Sequence, residues 1–458
     1  MSAFSTFLKP INSSRNIYIS GVGGTGKSYL LKELCKHFTD AGKICSLTST
    51  TGVSAFNIGG QTIHSWCGVV IPEKIPEDIP LWLKRKAESI KNRKRPYDRI
   101  MATEILFIDE ISMLGSSYLE ILDWICKHLR GVDKPFGGIQ IVCSGDMLQL
   151  PPVNDGMPFI SEAWKDLNFL YYTLQKRHRF PDPDFADLLG RARIGSLTDA
   201  DILTLNARVT DKPPKTTMIY PRRADVDRVN NRECLKIKSF EHIVNAEILE
   251  ENMKGQLTKL SKPPQNVTWP LEPTIRLKIG AQVMLLVNID VDSGLVNGTR
   301  GTVKSVSPDQ VVILKDDGVL ANIDRVTFPV EDGERLFHFS QLPLTLAWAV
   351  TIHKVQGCTL DSACIEIGTK IFSPGQAYVA LSRCRTLEGL HLTERVQKFK
   401  VFADKHALHF EKTTAGETVG VDVVPDEGEL CSECGKGFCD GEIVNALPTK
   451  KFVHSTCG

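Results

Sequence analysis

Nowhere in the 458 residues does an apolar run approach the roughly 18 that a membrane-spanning helix needs, so no spanning helix is expected. The opening residues, MSAFSTFLKPINSSR, lack the long apolar stretch of a secretory leader. Strand-like sequence begins at Asn16, which leaves little to cleave. Strong charge of either sign is also missing. The formal net charge is +1, so any grip on an acidic polymer must come from local basic and aromatic groups. Internal repeats and low-complexity tracts are absent. Paired cysteine spacing is missing from most of the chain: of 13 cysteines, nine lie singly between Cys35 and Cys384 among apolar neighbours and read as small core side chains. Together these features lead to the expectation of an intracellular, reducing compartment and of a protein that is not secreted. The length fits two to four domains.

What is present is an alternation of short apolar runs and amphipathic stretches. NIYIS (16–20), ICSLTS (44–49), EILFIDE (104–110) and QIVCSGD (140–146) read as buried strands. Between them, residues 29–42 and 117–129 place apolar residues at helical spacing, so an α/β fold with a parallel sheet is expected. A stretch from about 67 to 98, rich in Pro and then in Lys and Arg (KRKAESIKNRKR), breaks the rhythm as an insertion. A second α/β region is expected over 174–278 and 344–410. It is interrupted at 279–343 by short β-rich segments with Gly, Asp and Asn, the texture of a small antiparallel barrel or sheet. Residues 411–430 turn polar and acidic, as linkers do.

Gly21-Val22-Gly23-Gly24-Thr25-Gly26-Lys27-Ser28 fits G-x-x-x-x-G-K-[ST] between a strand and a helix, the context that the motif requires. Small residues let successive backbone N–H groups close around phosphates at a helix N-terminus. Lys27 suits the β- and γ-phosphates, and the Ser28 hydroxyl suits Mg²⁺. Asp109 and Glu110 emerge at the end of ILFIDE, placed to hold Mg²⁺ and to orient or deprotonate the attacking water. This pair of motifs implies a nucleoside triphosphatase and does not by itself separate a kinase from a motor.

The order of motifs from Asn16 to about Leu392 resembles that of the petite-integration-frequency helicases and their RecD-like cousins in superfamily one. KPFGGIQIVCSGDMLQLPPV (134–153), SSYLEILDWICKHLR (116–130) and GQAYVALSRCRTLEGL (375–390) carry the resemblance most specifically. It implies two RecA-like motor domains, the first over 1–173 with its insertion at 67–98, and the second carrying a small β-barrel-like insertion. It further implies ATP-driven 5′-to-3′ movement on single-stranded DNA, unwinding of forked or partial duplexes, and service in replication, recombination, repair or telomere maintenance, in the nucleus or another site of DNA replication. By the same resemblance Gln149 is expected to sense the γ-phosphate and Gln376 to join the ATP site. Arg179 (with Arg177 as a competitor) and Arg383 are expected to reach the phosphates as arginine fingers. STTGVSA and QTIHSW nominate Thr51, His64 and Ser65 for DNA, with Trp66 or His64 able to stack on a base. AWAVTIHKVQG nominates Thr351, His353, Lys354 and Gln356. The upstream glutamine with which relatives read adenine has no counterpart before Asn16.

The last 28 residues carry Cys431-x-x-Cys434 and, after 19 intervening residues, His454-x-x-Cys457. Two pairs of soft ligands at turn-compatible spacing suit a structural Zn²⁺ site over 431–458, with Cys439 as a spare ligand. A different class of function, a DNA-binding remodeller that uses ATP mainly as a switch, is disfavoured by the complete hydrolytic set of Glu110, Gln149 and Arg383.

Overall fold

The computed structural model describes residues 3–69, 78–92, 94–176, 178–211, 216–252, 255–264, 267, 269–290, 293–332, 335–414 and 419–421, and the backbone of strands 444–446 and 452–454. Its first unit is a seven-stranded parallel sheet. Across the sheet run Val419–Val421, Leu170–Leu174, Ile17–Gly21, Gln140–Ser144, Ile105–Asp109, Cys45–Ser49 and Gln61–Thr62. Alternate residues feed opposite faces. Ile17, Ile19 and Phe107 join Leu31, Leu34 and Phe38 of the helix Lys27–Asp40. Tyr18, Leu106 and Ile108 join Leu119, Leu122 and Ile125 of the helix Ser116–Arg130. Burial on both faces is why these strands read as continuous apolar runs. Each fully buried large side chain contributes roughly 1.5–3 kcal/mol, so the two layers hold the strand ends firmly.

The helix Ala3–Asn12 precedes the first strand and was not expected from the sequence. Phe7 and Ile11, spaced by four, seat it on the sheet, with the Phe7 ring 4.7 Å from that of Tyr172. Pro10 hides the pattern, since proline normally breaks a helix interior. The insertion is also tied in more closely than its composition suggests. Its helices Ile79–Lys91 and Lys94–Ala102 bury Ala87, Ile90 and Ile100 in the same core as Trp66, while Lys84, Arg85 and Lys91 stay exposed.

The second unit centres on a four-stranded parallel sheet, in the order Ala349–Thr351, Thr217–Tyr220, Ala363–Ile365 and Leu390–Leu392. Between its strands lies an antiparallel β region, and here the boundaries read from the sequence need correction. Glu241–Asn245 pairs with Thr274–Lys278, and Glu247–Glu251 pairs with Arg335–Gln341, so the β region begins at Glu241 and not at 279. Glu241–Asn245 and Glu247–Glu251 bury only Val244 and Ile248, among glutamates and other exposed or half-buried groups, a texture that does not announce a strand. A five-stranded sheet runs Leu320–Asp324, Gln310–Lys315, Arg300–Val306, Gln282–Leu285, Leu344–Leu346.

The C-terminal boundary moves as well. The helix Lys405–Thr414 packs on the first unit, where the Phe410 ring stacks on Phe159 at 4.4 Å and meets Tyr18 and Trp164 edge-on. Val419–Val421 then extends the first sheet beside Leu170–Leu174, so part of the expected linker is a strand. Seven of the nine dispersed cysteines are buried. Among the described residues no helix is long and apolar enough to cross a membrane.

Candidate functional site

The phosphate loop closes between the strand Ile17–Gly21 and the helix Lys27–Asp40. Gly24 and Gly26 hold left-handed φ of 88° and 83°, which favours glycine. At Gly24 a Cβ would also lie 2.5 Å from that of Arg179. Gly26 starts the helix without a side-chain cap, leaving its first amides free for an anion. Lys27 is buried and curls over the loop, donating to the carbonyls of Gly21 (2.7 Å) and Val22 (3.2 Å). Burial lowers the pKa of its ammonium, against the pull of Asp146, Glu110 and Asp109. Thr25 donates to Val22 O, and Ser28 sits half-buried on the helix's first turn.

Asp109 ends its strand buried, one oxygen accepting from Ser144 Oγ at 2.5 Å. An oxygen-only set of Asp109 and Ser28 fits Mg²⁺, a hard cation that keeps most of its waters. Glu110 follows in the left-handed region (φ 53°, ψ 39°), a conformation uncommon outside glycine. Burial, and then Asp109, push its carboxyl up to about 7.

Two arginines converge on the loop from the second unit. Arg383 is 1% exposed and donates to Val379 O, Val355 O, Cys358 O and Ser382 Oγ. Its Nη2 lies 3.8 Å from where a Cβ on Gly23 would be, and Gln149 Nε2 lies 3.6 Å from the same point. Arg179 donates to Gly357 O at 3.5 Å, while its Nη1 is buried without a hydrogen-bond partner among the described residues. Burial, and then Arg383, lower its pKa to about 10. The neighbouring His178 N–H donates to Gly24 O, which brings this segment onto the loop. Arg177 lies outside the described residues.

Sequence reasoning missed a buried ionic chain behind the loop. Tyr378 Oη accepts from the Gly23 amide (3.1 Å) and donates to Asp146 (3.4 Å). Asp146 also receives Arg193 (2.8 Å) and Gln149 Nε2 (3.3 Å), and Arg193 continues to Glu411 (2.6 Å). Burial alone would raise the Asp146 carboxyl, but Arg193 holds it below the usual carboxylate range. The signal available was a lone Asp directly after the buried strand in SGDMLQL. Gln376, in contrast, accepts from the amides of Phe372 and Ser373, and neither of these contacts belongs to the phosphate loop.

On the other side of Glu110 lies a cleft of about 810 Å³. It brings together Thr51, His64, Ser65, His353, Lys354 and Gln356, drawn from both units. The β region adds an apolar wall that includes Trp269, Pro270 and Phe328. Thr51 caps the helix Gly52–Ile58 through Ser54 N, and Ser65 Oγ accepts from Thr62. His64 stacks on Tyr118 at 4.4 Å, and burial lowers its pKa to about 4, so the imidazole is neutral near pH 7. Two expectations need correction. Thr351 does not line the cleft; its Oγ1 caps the turn by accepting from Lys354 N. Trp66 is 0% exposed in the core and has no face to offer a base. The residues expected to hold zinc, Cys431, Cys434 and Cys457, with Cys439 and the side chain of His454, lie outside the described residues.

A family model described as PIF1-like helicase matches residues 5–187, and one described as DNA helicase Pif1, 2B domain, matches residues 267–306. The ATP-dependent DNA helicase Pif1 of Bdellovibrio bacteriovorus is 32% identical over 89% of this chain and 90% of its own. The human ATP-dependent DNA helicase PIF1 is 34% identical over 93% of this chain, which spans 65% of the human protein. Among solved structures, Pif1 helicase from Candida albicans superposes with a TM-score of 0.72 at 32% identity, covering 90% of this chain and 99% of that one. Bacteroides Pif1 in complex with ADP-AlF4 gives 0.75 at 29% identity, covering 90% and 96%.

Proposed function

The chain belongs to the PIF1-like helicase family and is an ATP-dependent DNA helicase, and we propose that it moves 5′ to 3′ along a strand held in the 810 Å³ cleft. Single-stranded and forked DNA are its partners, as they are in solved Pif1 complexes. It works where DNA is replicated, recombined or repaired, or where telomeres are maintained.

One observation carries the hydrolytic reading. Lys27, Arg179 and Arg383 crowd the phosphate loop, and Arg179 Nη1 is buried without a hydrogen-bond partner among the described residues. Desolvated cations repel one another unless an anion joins them, and the β- and γ-phosphates of ATP supply that anion. Gly24, Thr25 and Gly26 bind it through their backbone, the Gly23 amide exchanges Tyr378 Oη for it, and Lys27 turns from its carbonyl partners toward it. Ser28 and Asp109 would hold Mg²⁺, which supplies charge neutralisation on the phosphate oxygens. Glu110 takes the proton of the attacking water, and Gln149, steadied by Asp146, orients that water against the γ-phosphate. Arg179 and Arg383 belong to the second unit, so their engagement with the γ-phosphate closes the two units and its loss releases them.

In the cleft, Lys354, His353, Ser65 and Thr51 take the strand's phosphates, and the β-region wall takes its bases. His64, neutral and stacked on Tyr118, contributes shape and one hydrogen bond without adding charge. For residues 431–458, the pairing of Cys431 with Cys434 and of His454 with Cys457 supports a structural zinc module.

ATP turnover measured with and without a single-stranded oligonucleotide tests the reading. Turnover should rise with the strand in the wild-type protein and fall by about 100-fold or more in Arg179→Ala, as loss of an arginine finger requires. Strand-independent turnover that survives in Arg179→Ala would refute it.

A further inference from the structure

The turn from Thr351 to Cys358 touches both sites at once. His353, Lys354 and Gln356 face the cleft. On its other side the carbonyls of Val355 and Cys358 hold Arg383, and that of Gly357 holds Arg179. Gln356 completes the set: its Nε2 donates to Glu110 Oε2 at 3.4 Å, and its Oε1 is buried without a partner among the described residues. Glu110 itself borders the cleft, and its left-handed backbone fixes the direction in which the carboxylate leaves the strand end.

We propose that Gln356 is a positioning residue that restrains Glu110 on the cleft side until a DNA strand arrives. The bond is long and one end of the amide is unsatisfied, so the contact is weak and easily exchanged. A strand phosphate entering beside Lys354 competes for the Nε2–H and repels the Glu110 carboxylate. Both effects turn Glu110 toward the phosphate loop and its water. The same displacement reaches Arg179 and Arg383 through the backbone that carries Gln356. Strand occupancy is thereby converted into hydrolysis by one turn, with no covalent change. This inference rests on the proposed helicase reading of the two sites.

The test uses the full chain and follows ATP turnover with and without saturating oligo-dT, together with oligo-dT affinity and thermal stability. Gln356→Met keeps the length of the side chain and removes the amide. It should raise the strand-free kcat about five-fold, as expected for loss of one weak restraining hydrogen bond, while KM for ATP stays put and the stimulation ratio collapses. A merely structural role would not produce that split. Gln356→Thr repeats the measurement should the Met variant fold poorly. An unchanged strand-free kcat would overturn the proposal, as would a stimulation ratio that recovers fully once oligo-dT is raised to saturate a weakened site, because Gln356 would then be only a DNA contact. A wild-type protein whose turnover ignores oligo-dT would instead break the helicase reading, and the restraint with it.

Discussion

The phosphate site and the strand cleft meet at Glu110 but are built in opposite ways. The core of the phosphate site is one contiguous segment, Gly21 to Ser28, in which Thr25 and Lys27 are buried and bonded to carbonyls a few residues away, and the two arginines come from the second unit. The cleft gathers side chains from residues 50–65, 267–273, 328–330 and 353–356, and much of its wall is apolar. A small, highly charged ligand of fixed shape rewards preorganised donors at short sequence range. A strand of any sequence needs only a basic track and surfaces on which bases can lie, so its site can be scattered.

The sharpest way to break this contrast is Lys27→Ala, which should abolish ATP turnover, with at least about a 100-fold loss, while oligo-dT affinity without nucleotide stays within a factor of two or so. Retained strand-stimulated turnover would remove the phosphate site as described. Next come the two arginines, which should part company. Arg179→Ala should cost hydrolysis alone, because among the described residues its guanidinium makes a single long bond to the protein. Arg383→Ala should cost hydrolysis and also lower Tm, since it removes three buried hydrogen bonds, to the carbonyls of Val355, Cys358 and Val379. Equal Tm values for the two variants would show that Arg383 is not the strut its contacts describe.

How much of this was legible in the sequence follows the same division. The phosphate loop, the acidic strand end and the four core strands could be read because each is a local pattern in contiguous residues. Asp146, Arg193 and Glu411 could not, since their pairing joins positions 47 and 218 apart. The helix Lys405–Thr414 looked like the end of the second unit because its partner surface, around Tyr18 and Trp164, lies far away in the chain. The strands Glu241–Asn245 and Glu247–Glu251 were obscured by their glutamates, since each buries a single residue. Trp66 was nominated for base stacking by its place in QTIHSW, and only packing reveals that it belongs to the core.

Smaller effects sharpen the cleft. Lys354→Ala should weaken oligo-dT binding and flatten the dependence of log affinity on log salt by about 0.7, the contribution of one single-strand phosphate contact. An unaltered salt slope would take Lys354 off the strand's path. His64 gives a pH signature. Its imidazole is held down to about 4 when folded, against about 6.5 when exposed, so the unfolded chain binds more protons between those values. Stability should therefore be full above pH 6.5 and decline as pH falls toward 4, and His64→Gln should soften that decline. A Tm–pH curve identical to the wild type would show that the imidazole is not buried as described. The mildest effect is expected at the tail, where Cys434→Ala should release one equivalent of zinc by native mass spectrometry and leave ATP turnover intact. Unchanged metal content would remove the zinc module.

Strand displacement on partial duplexes that carry either a 5′ or a 3′ single-stranded tail, with ATP, Mg²⁺ and a Lys27→Ala control, tests the central claim most directly. Unwinding from the 5′-tailed substrate alone is the expected result. Unwinding from the 3′ tail alone, or none despite strand-stimulated hydrolysis, would contradict it.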